Sequence, residues 1–374
     1  MSQAPQIVVV GGGIVAASVA YHLARDGASV VVIDADLPGP ATAAGAGIVC
    51  PWTRPEDATC RLAAEGARYY PELIAMLAED GQADTGYAKV GALSVSADPD
   101  RLRTISSLLH SRLADRPEIG EVTVVPPGEP ARQFPPLDHG LAGVWIGGAA
   151  RIDGRAIRDS LLGAAVSKEA RRVRGAAALE ESAGRVTGVR VGTDRIPADT
   201  VVVAAGAWTG QVCADIGWQL PIGPQRGQIV HAELAGADTA SWPVIVPAHD
   251  PYLLAFPAGR IVFGATREDA GFDYRLTVGG ISGVLAAALE LAPGLREATL
   301  LETRIGFRPA TSDGSPLIGR LTDGLVVATG NGAEGLTAGP WTGRAAAALA
   351  LGKQPPSDIT PFDPARFATA APQG

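Results

Sequence analysis

Three consecutive glycines, Gly11, Gly12 and Gly13, follow directly on an apolar run, and an acid, Asp34, stands 23 residues after the first of them. Read as Gly11-x-Gly13-x-x-Ala16, the stretch has the spacing of a turn that receives a dinucleotide. The first glycine lets the chain turn sharply. The second lets bare backbone approach a pyrophosphate, and a small third residue lets a helix touch the strand. Free N–H groups at the start of that helix, and the positive end of its dipole, favour phosphate oxygens. A carboxylate about 20 residues further on accepts ribose hydroxyls, which is the chemistry Asp34 offers. The motif alone does not choose between NAD and FAD.

The elements that must hold these residues are legible on either side. Ile7 to Val10 is β-branched and predicts a strand buried on both faces. Ile14 to Arg25 predicts a helix, with Ala16, Ala17 and Ala20 small enough for close packing and Asp26-Gly27 ending it. Val30 to Ile33 supplies a second strand. Residues 37–52 read as a Gly-, Pro- and Ala-rich loop, Arg61 to Glu79 as a helix, 90–100 as containing a strand, and Leu102 to Leu113 as a helix. Residues 124–138 form a Pro-rich connector. Asp153 is expected to cap a helix over Arg155 to Ala170. Strands follow at Gly175 to Leu179, Val186 to Val191 and Val201 to Ala204, with turns at 182–184 and 192–194. Two further glycine-ended strands, VVVAAGAW from Val201 and VVATGNGAEG from Val326, offer close backbone approaches of their own. A helix is expected near Ile281 to Leu291, and the residues after Pro355 read as a poorly ordered tail.

Composition narrows the function classes. A chain of 374 residues can bury two cores, and 47% hydrophobic with 19% charged residues describes a folded protein. A net charge of −8 gives no basic footprint for nucleic acid and disfavours anionic membrane surfaces. No apolar run approaches the roughly 18 residues of a membrane span, and no basic region precedes the apolar N-terminal stretch as in a signal peptide. Cys50, Cys60 and Cys213 lack metal or redox spacing and predict free thiols in a reducing cytoplasm. His22, His110, His139, His231 and His249 form no ligand cluster, so no metal is expected. Whether the chain forms a homo-oligomer is open.

Six segments in order, residues 8–34 followed by TVVVAAGAWTG, PQRGQIV, YLLAFPAGRIVFGAT, RIGFRPATSDGSPLIG and GLVVATGNGAEGLTAGPWTG, make the chain resemble the FAD-dependent D-amino acid oxidase family in its glycine oxidase and sarcosine oxidase branch. The resemblance implies an α/β fold: a discontinuous Rossmann-like FAD-binding domain plus a smaller α+β substrate domain with an antiparallel sheet. The FAD-binding parts would be 1–85, 148–215 and 306–360, the substrate parts 86–147 and 216–305, and the tail 361–374. It implies that FAD meets Gly11, Gly13, Ile14 and Val15 at the first turn, and Asp34 and Ala35 after the second strand. In the following loop it would meet Thr42, Ala43, Ala46, Gly47 and Ile48. Ala205, Gly206 and Trp208 would follow from the second glycine turn, and Arg308, Gly332, Ala333, Glu334, Gly335, Leu336 and Thr337 from the C-terminal third. Gly306 and Phe307 stand where some relatives attach flavin to a cysteine, so the FAD is expected to be non-covalent.

The resemblance also implies that Arg308 pairs with a substrate carboxylate and that Tyr252 helps hold it, placing the Cα hydrogen for hydride transfer. Departures from the family pattern bear on the substrate. Gly332 and Ala333 replace bulkier residues and widen the entrance, and Arg267 replaces an apolar residue and could meet a second carboxylate. Cys50 lies near the flavin in a packing role. The expected reaction is oxidation of the Cα–N bond of a small amino acid or an N-substituted glycine, such as an N-carboxymethyl amino acid, with O2 as acceptor. A biosynthetic and a catabolic setting both stay open. Refilling of the widened pocket by neighbouring loops, leaving a glycine or sarcosine oxidase, remains open. So do a dehydrogenase serving a quinone or protein acceptor and a flavin-bearing protein without turnover. An NAD-dependent dehydrogenase would leave the C-terminal glycine segment unexplained.

Overall fold

A computed structural model describes residues 4–247 and 251–367, so His249 and the end of the tail lie outside the described residues. The three apolar runs that precede glycine turns become adjacent strands. Gln6–Val10, Thr200–Val203 and Leu325–Thr329 lie side by side and parallel, their valines and leucines buried on both faces. Burying each such side chain contributes about 2 kcal/mol against the entropy of ordering the chain. Ser29–Asp34 and Arg171–Arg174 extend this sheet in parallel on one side, and Leu317–Thr322 closes the other side antiparallel to Leu325–Thr329.

Among the described residues the second large sheet has eight strands, in the order Thr299–Thr311, Ile222–Glu233, Arg260–Gly264, Tyr252–Ala255, Val244–Ile245, Ala92–Ser96, Ala142–Ile146, Val122–Val125. It is antiparallel except where Val244–Ile245 runs parallel to Ala92–Ser96. The molecule is thus a mixed α/β structure with a Rossmann-like parallel sheet and a separate, mainly antiparallel one. Thr299–Thr311 runs unbroken through residues 305 and 306. A two-stranded ladder joins Ile48–Val49 to Ala150–Arg151.

The helix after the first glycine turn, Ile14–Arg25, packs against the last long helix, Gly335–Ala350. The contact is close because glycines make it so. A Cβ on Gly343 would stand 2.5 Å from Ser18 Cβ, and one on Gly339 2.8 Å from Ile14 Cγ2. Ser18 Oγ donates to the Pro340 carbonyl across this seam at 2.7 Å.

Several expectations change. Residues 37–52 are more than a loop: Ala41–Ala44 is a turn of helix, Ile48–Val49 a short strand and Pro51–Thr53 a 3-10 turn. The helix capped by Asp153 ends at Ser167, and Arg171–Arg174 is an edge strand. Its three arginines conceal the β signal while protecting the edge from further pairing. Asp194–Pro197 adds a third strand beyond the 192–194 turn, and the Pro-rich connector contains the end of Val122–Val125 and the helix Glu129–Gln133. The chain after Pro355 is packed as far as it is described: Phe362 is buried in the main core, and Arg366 pairs with Asp313 at 2.8 Å. Cys50, Cys60 and Cys213 are free and buried. Among the described residues no helix is long and apolar enough to cross a membrane, and no cluster of His, Cys, Asp and Glu could hold a metal.

Candidate active site

The three glycine turns lie at the carboxyl ends of three neighbouring parallel strands, where open α/β sheets bind their ligands. Together they wall one cavity of about 520 Å³, within the size range of small-molecule sites. At the first turn Gly11 has φ +128°, and a side chain there would strike the Ala204 carbonyl oxygen. A side chain on Gly12 would strike the Asp34 carboxylate. Asp34 is kept in place by the Asp36 N–H at 3.1 Å.

The N-cap of the first helix is Gly13, which has no side chain with which to cover the helix end; Thr42 Oγ1 accepts from the Ile14 N–H at 2.9 Å. The last helix likewise starts without a side-chain cap, at Glu334-Gly335. Both helix N-termini line the cavity, so two positive dipole ends meet in it. Asn331, 4% exposed, adds an orphan: its Oδ1 accepts from Thr342 Oγ1 at 3.2 Å, while its Nδ2 is buried without a partner. A bare-backbone cradle and an unsatisfied buried donor in one wall fit a bound polar cofactor such as FAD.

At the other side of the cavity, strands of the eight-stranded sheet contribute charge. Arg308, on Thr299–Thr311, lies in register with Gln225, and its Nη1 donates to the Thr266 carbonyl at 3.0 Å. Neighbouring Gly227 makes room for it, since a Cβ there would stand 2.5 Å from Arg308 Nη1. Tyr252 begins the strand Tyr252–Ala255, opposite Gly264, and is half-buried; Arg267 follows two residues after Ala265 and is exposed. All three line the cavity, as do Gly332, Ala333 and Cys50. Burial, reinforced by the Glu334 charge, pushes the Cys50 thiol up to about 12, so it stays protonated and inert. Arg54 bridges the cavity edge to Glu334 at 2.6 Å.

Every other residue expected at the cofactor also lies in the cavity wall except Ala43. Ala43 does not line it; its carbonyl turns instead to Arg304 Nη1 at 3.0 Å. The turn Ala41–Ala44 causes this, because successive helical residues point in different directions. Sequence reasoning missed Asn331 and Arg54 as wall residues, while Phe307, expected beside the flavin, does line the wall. Asn331 stands between two glycines already singled out, and that position was its only signal. Arg54 gave none beyond its place in a Pro-rich turn.

This fold and site define a flavin-type oxidoreductase, and comparison with known proteins agrees. The FAD dependent oxidoreductase family model matches residues 6–349, and the chain belongs to that family. Its cofactor is FAD. The crystal structure of iminodiacetate oxidase (IdaA) from Chelativorans sp. BNC1 is 44% identical, covers 96% of this chain and 98% of its own, and superposes with a TM-score of 0.93. The uncharacterized oxidoreductase YurR of Bacillus subtilis (strain 168) is 47% identical over 96% of this chain and 98% of its own length. A glycine oxidase of Pseudomonas aeruginosa is 32% identical over 96% and 98% respectively.

Proposed function

We propose that this protein oxidises the Cα–N bond of an N-substituted glycine that carries a second carboxylate, releasing glyoxylate and a free amine, with O2 as the electron acceptor. The observation that carries the reading is the convergence of Arg308, Tyr252 and Arg267 on the cavity that the glycine turns line. Iminodiacetate, the compound named for the 44% identical oxidase, is such a substrate: a secondary amine between two acetate arms.

FAD, when bound non-covalently, supplies the two-electron acceptor. The chain's residues supply position and electrostatics. Arg308 pairs with the carboxylate of the arm to be oxidised, where its planar fork suits two carboxylate oxygens. The Tyr252 hydroxyl donates to the same carboxylate and fixes its rotation. Arg267, farther out, pairs with the distal carboxylate. The apolar wall strips water from the substrate nitrogen and lowers its pKa, favouring the neutral amine whose lone pair drives the Cα hydrogen out. The imine left behind takes up water and falls apart into glyoxylate and amine. Gly332 and Ala333 leave the substituent room. Three buried free thiols suit a reducing cytoplasm.

The division into FAD-binding parts 1–85, 148–215 and 306–360, with substrate parts 86–147 and 216–305, is supported by which strands share a sheet. On this division the strand Thr299–Thr311 carries Arg308 from the substrate sheet into the cofactor cavity.

Anaerobic mixing of the yellow holoenzyme with iminodiacetate, sarcosine or glycine tests the proposal. Iminodiacetate should bleach the flavin fastest and yield glyoxylate, and admitting air should restore the colour with formation of peroxide. Equal or faster bleaching by glycine would overturn the substrate class, and reoxidation only by a quinone or dye would overturn the acceptor.

A further inference from the structure

The segment 265–277 joins the strand Arg260–Gly264 to the helix Val278–Leu291 without helix or strand of its own. It nevertheless carries the site: Arg267 lines the cavity, and the Thr266 carbonyl holds Arg308. Such a strap needs anchors, and they fall on three consecutive residues, Arg226, Gly227 and Gln228.

Arg226, 4% exposed, grips it most firmly. Its Nη2 pairs with Glu268 Oε2, and its Nη1 with Asp273 Oδ2 at 3.0 Å and with the Asp273 and Arg275 carbonyls at 3.1 and 3.2 Å. Backbone bonds tie Arg226 to Glu268 in both directions, at 2.9 and 3.0 Å. Gln228 Nε2 donates to Glu268 Oε1 at 2.7 Å and to Thr277 Oγ1 at 2.9 Å, and its Oε1 accepts from the Thr277 N–H at 2.8 Å. Gly227, between them, lies against the Arg308 guanidinium.

Glu268 is the point where these ties converge. One oxygen takes Arg226. The other takes Gln228 and the Thr266 hydroxyl, while Thr266 Oγ1 itself accepts from the Gln228 N–H at 2.8 Å. Burial pushes the Glu268 carboxyl up, but the hydrogen bonds from Thr266, Arg226 and Gln228 outweigh it and hold the group below its ordinary range, ionised at neutral pH. An ionised carboxylate can accept all of these bonds at once; a neutral side chain cannot.

We infer that Glu268 is a positioning residue for substrate: through Thr266 it fixes the carbonyl that orients Arg308, and through Arg226 it fixes the strap that presents Arg267. This rests on the proposed role of Arg308 as the carboxylate anchor. The ties from Glu268 run to the strap and to Arg308, so the effect is expected in substrate binding ahead of cofactor loading.

The test uses holoenzyme and two non-reacting probes, acetate and malonate, titrated through the perturbation of the bound-flavin spectrum. Arg308→Ala should weaken both. Glu268→Ala should weaken acetate about tenfold, the scale of one charge-assisted hydrogen bond, and malonate more. Its FAD content should be unchanged, its KM for iminodiacetate raised and its kcat within about threefold. Glu268→Gln, which keeps the shape, should recover part of the loss. Glu268→Ala and Arg308→Lys should combine non-additively, since they act on one contact. If Glu268→Ala fails to load FAD, Glu268→Gln and Thr266→Val carry the same titration. Unchanged acetate and malonate affinity in these variants, or additive effects with Arg308→Lys, would overturn the inference while leaving the role of Arg308 intact. Unchanged affinity in Arg308→Ala would instead overturn the proposed carboxylate anchor.

Discussion

At the scale of single residues the site is a set of unequal arginines. Arg226 is buried with two acidic partners and works on the protein; Arg308 and Arg267 face the cavity and are proposed to work on the substrate. Arg308→Lys should therefore raise the KM for iminodiacetate by about 30- to 300-fold, because a point charge cannot replace a bidentate fork. Arg267→Ala should raise the iminodiacetate KM about tenfold while leaving that of glycine within about twofold, since glycine has no second carboxylate to lose. Steady-state kinetics on both substrates checks the two together. The GxGxxA turn, Asp34 and the cavity positions of Arg308 and Tyr252 were legible in the sequence, because a motif or a family segment marked them. Arg226 was marked only as part of the segment PQRGQIV, with no role attached, and Glu268 was not marked at all. Their meaning comes from meeting each other across 42 residues.

At the scale of elements, two devices hold the helix ends in place. Thr42 Oγ1 takes the first free N–H of the first helix, so Thr42→Val should cost about 1 kcal/mol and weaken FAD retention, measured by denaturant unfolding and by flavin release on dialysis. The glycine seam between the first and last helices tolerates no added bulk. Gly343→Val should force the helices apart, costing about 2–4 kcal/mol and lowering Tm by several degrees. Calorimetry of the holoenzyme would show it. The small residues Ala16, Ala17 and Ala20 announced close packing in the sequence, but their partner, a helix beginning more than 300 residues later, could not be read from them. Edge strands were the least legible elements. Arg171–Arg174 hides its β character behind charge, as an exposed edge must.

At the scale of the whole molecule, stability should depend on pH through groups buried in their neutral form. Burial, helped by the nearby Arg304 and Arg260 charges, lowers His231 from 6.5 to about 4, and burial lowers His22 to about 4 as well. The unfolded chain binds these protons near pH 6.5 and the folded chain only near pH 4. Stability is therefore fully present above about 6.5 and falls as pH drops toward 4, by roughly 3 kcal/mol for the fully buried His231. Glu268 and Asp80, held below their ordinary carboxyl values, act in the same direction at still lower pH. Urea midpoints measured between pH 4 and 8 should decline on the acid side, and His231→Phe should flatten the slope. The order of strands in the parallel sheet also governs how the chain matures during synthesis. Gln6–Val10 is made first, yet its neighbours Thr200–Val203 and the helix Gly335–Ala350 that covers its own helix emerge far later. At about 5–20 residues per second the N-terminal unit waits tens of seconds, its apolar face uncovered, before the ribosome delivers what completes it. The cavity wall is complete only once the segment around residue 335 has been made, so nascent chains arrested short of residue 335 should retain no colour.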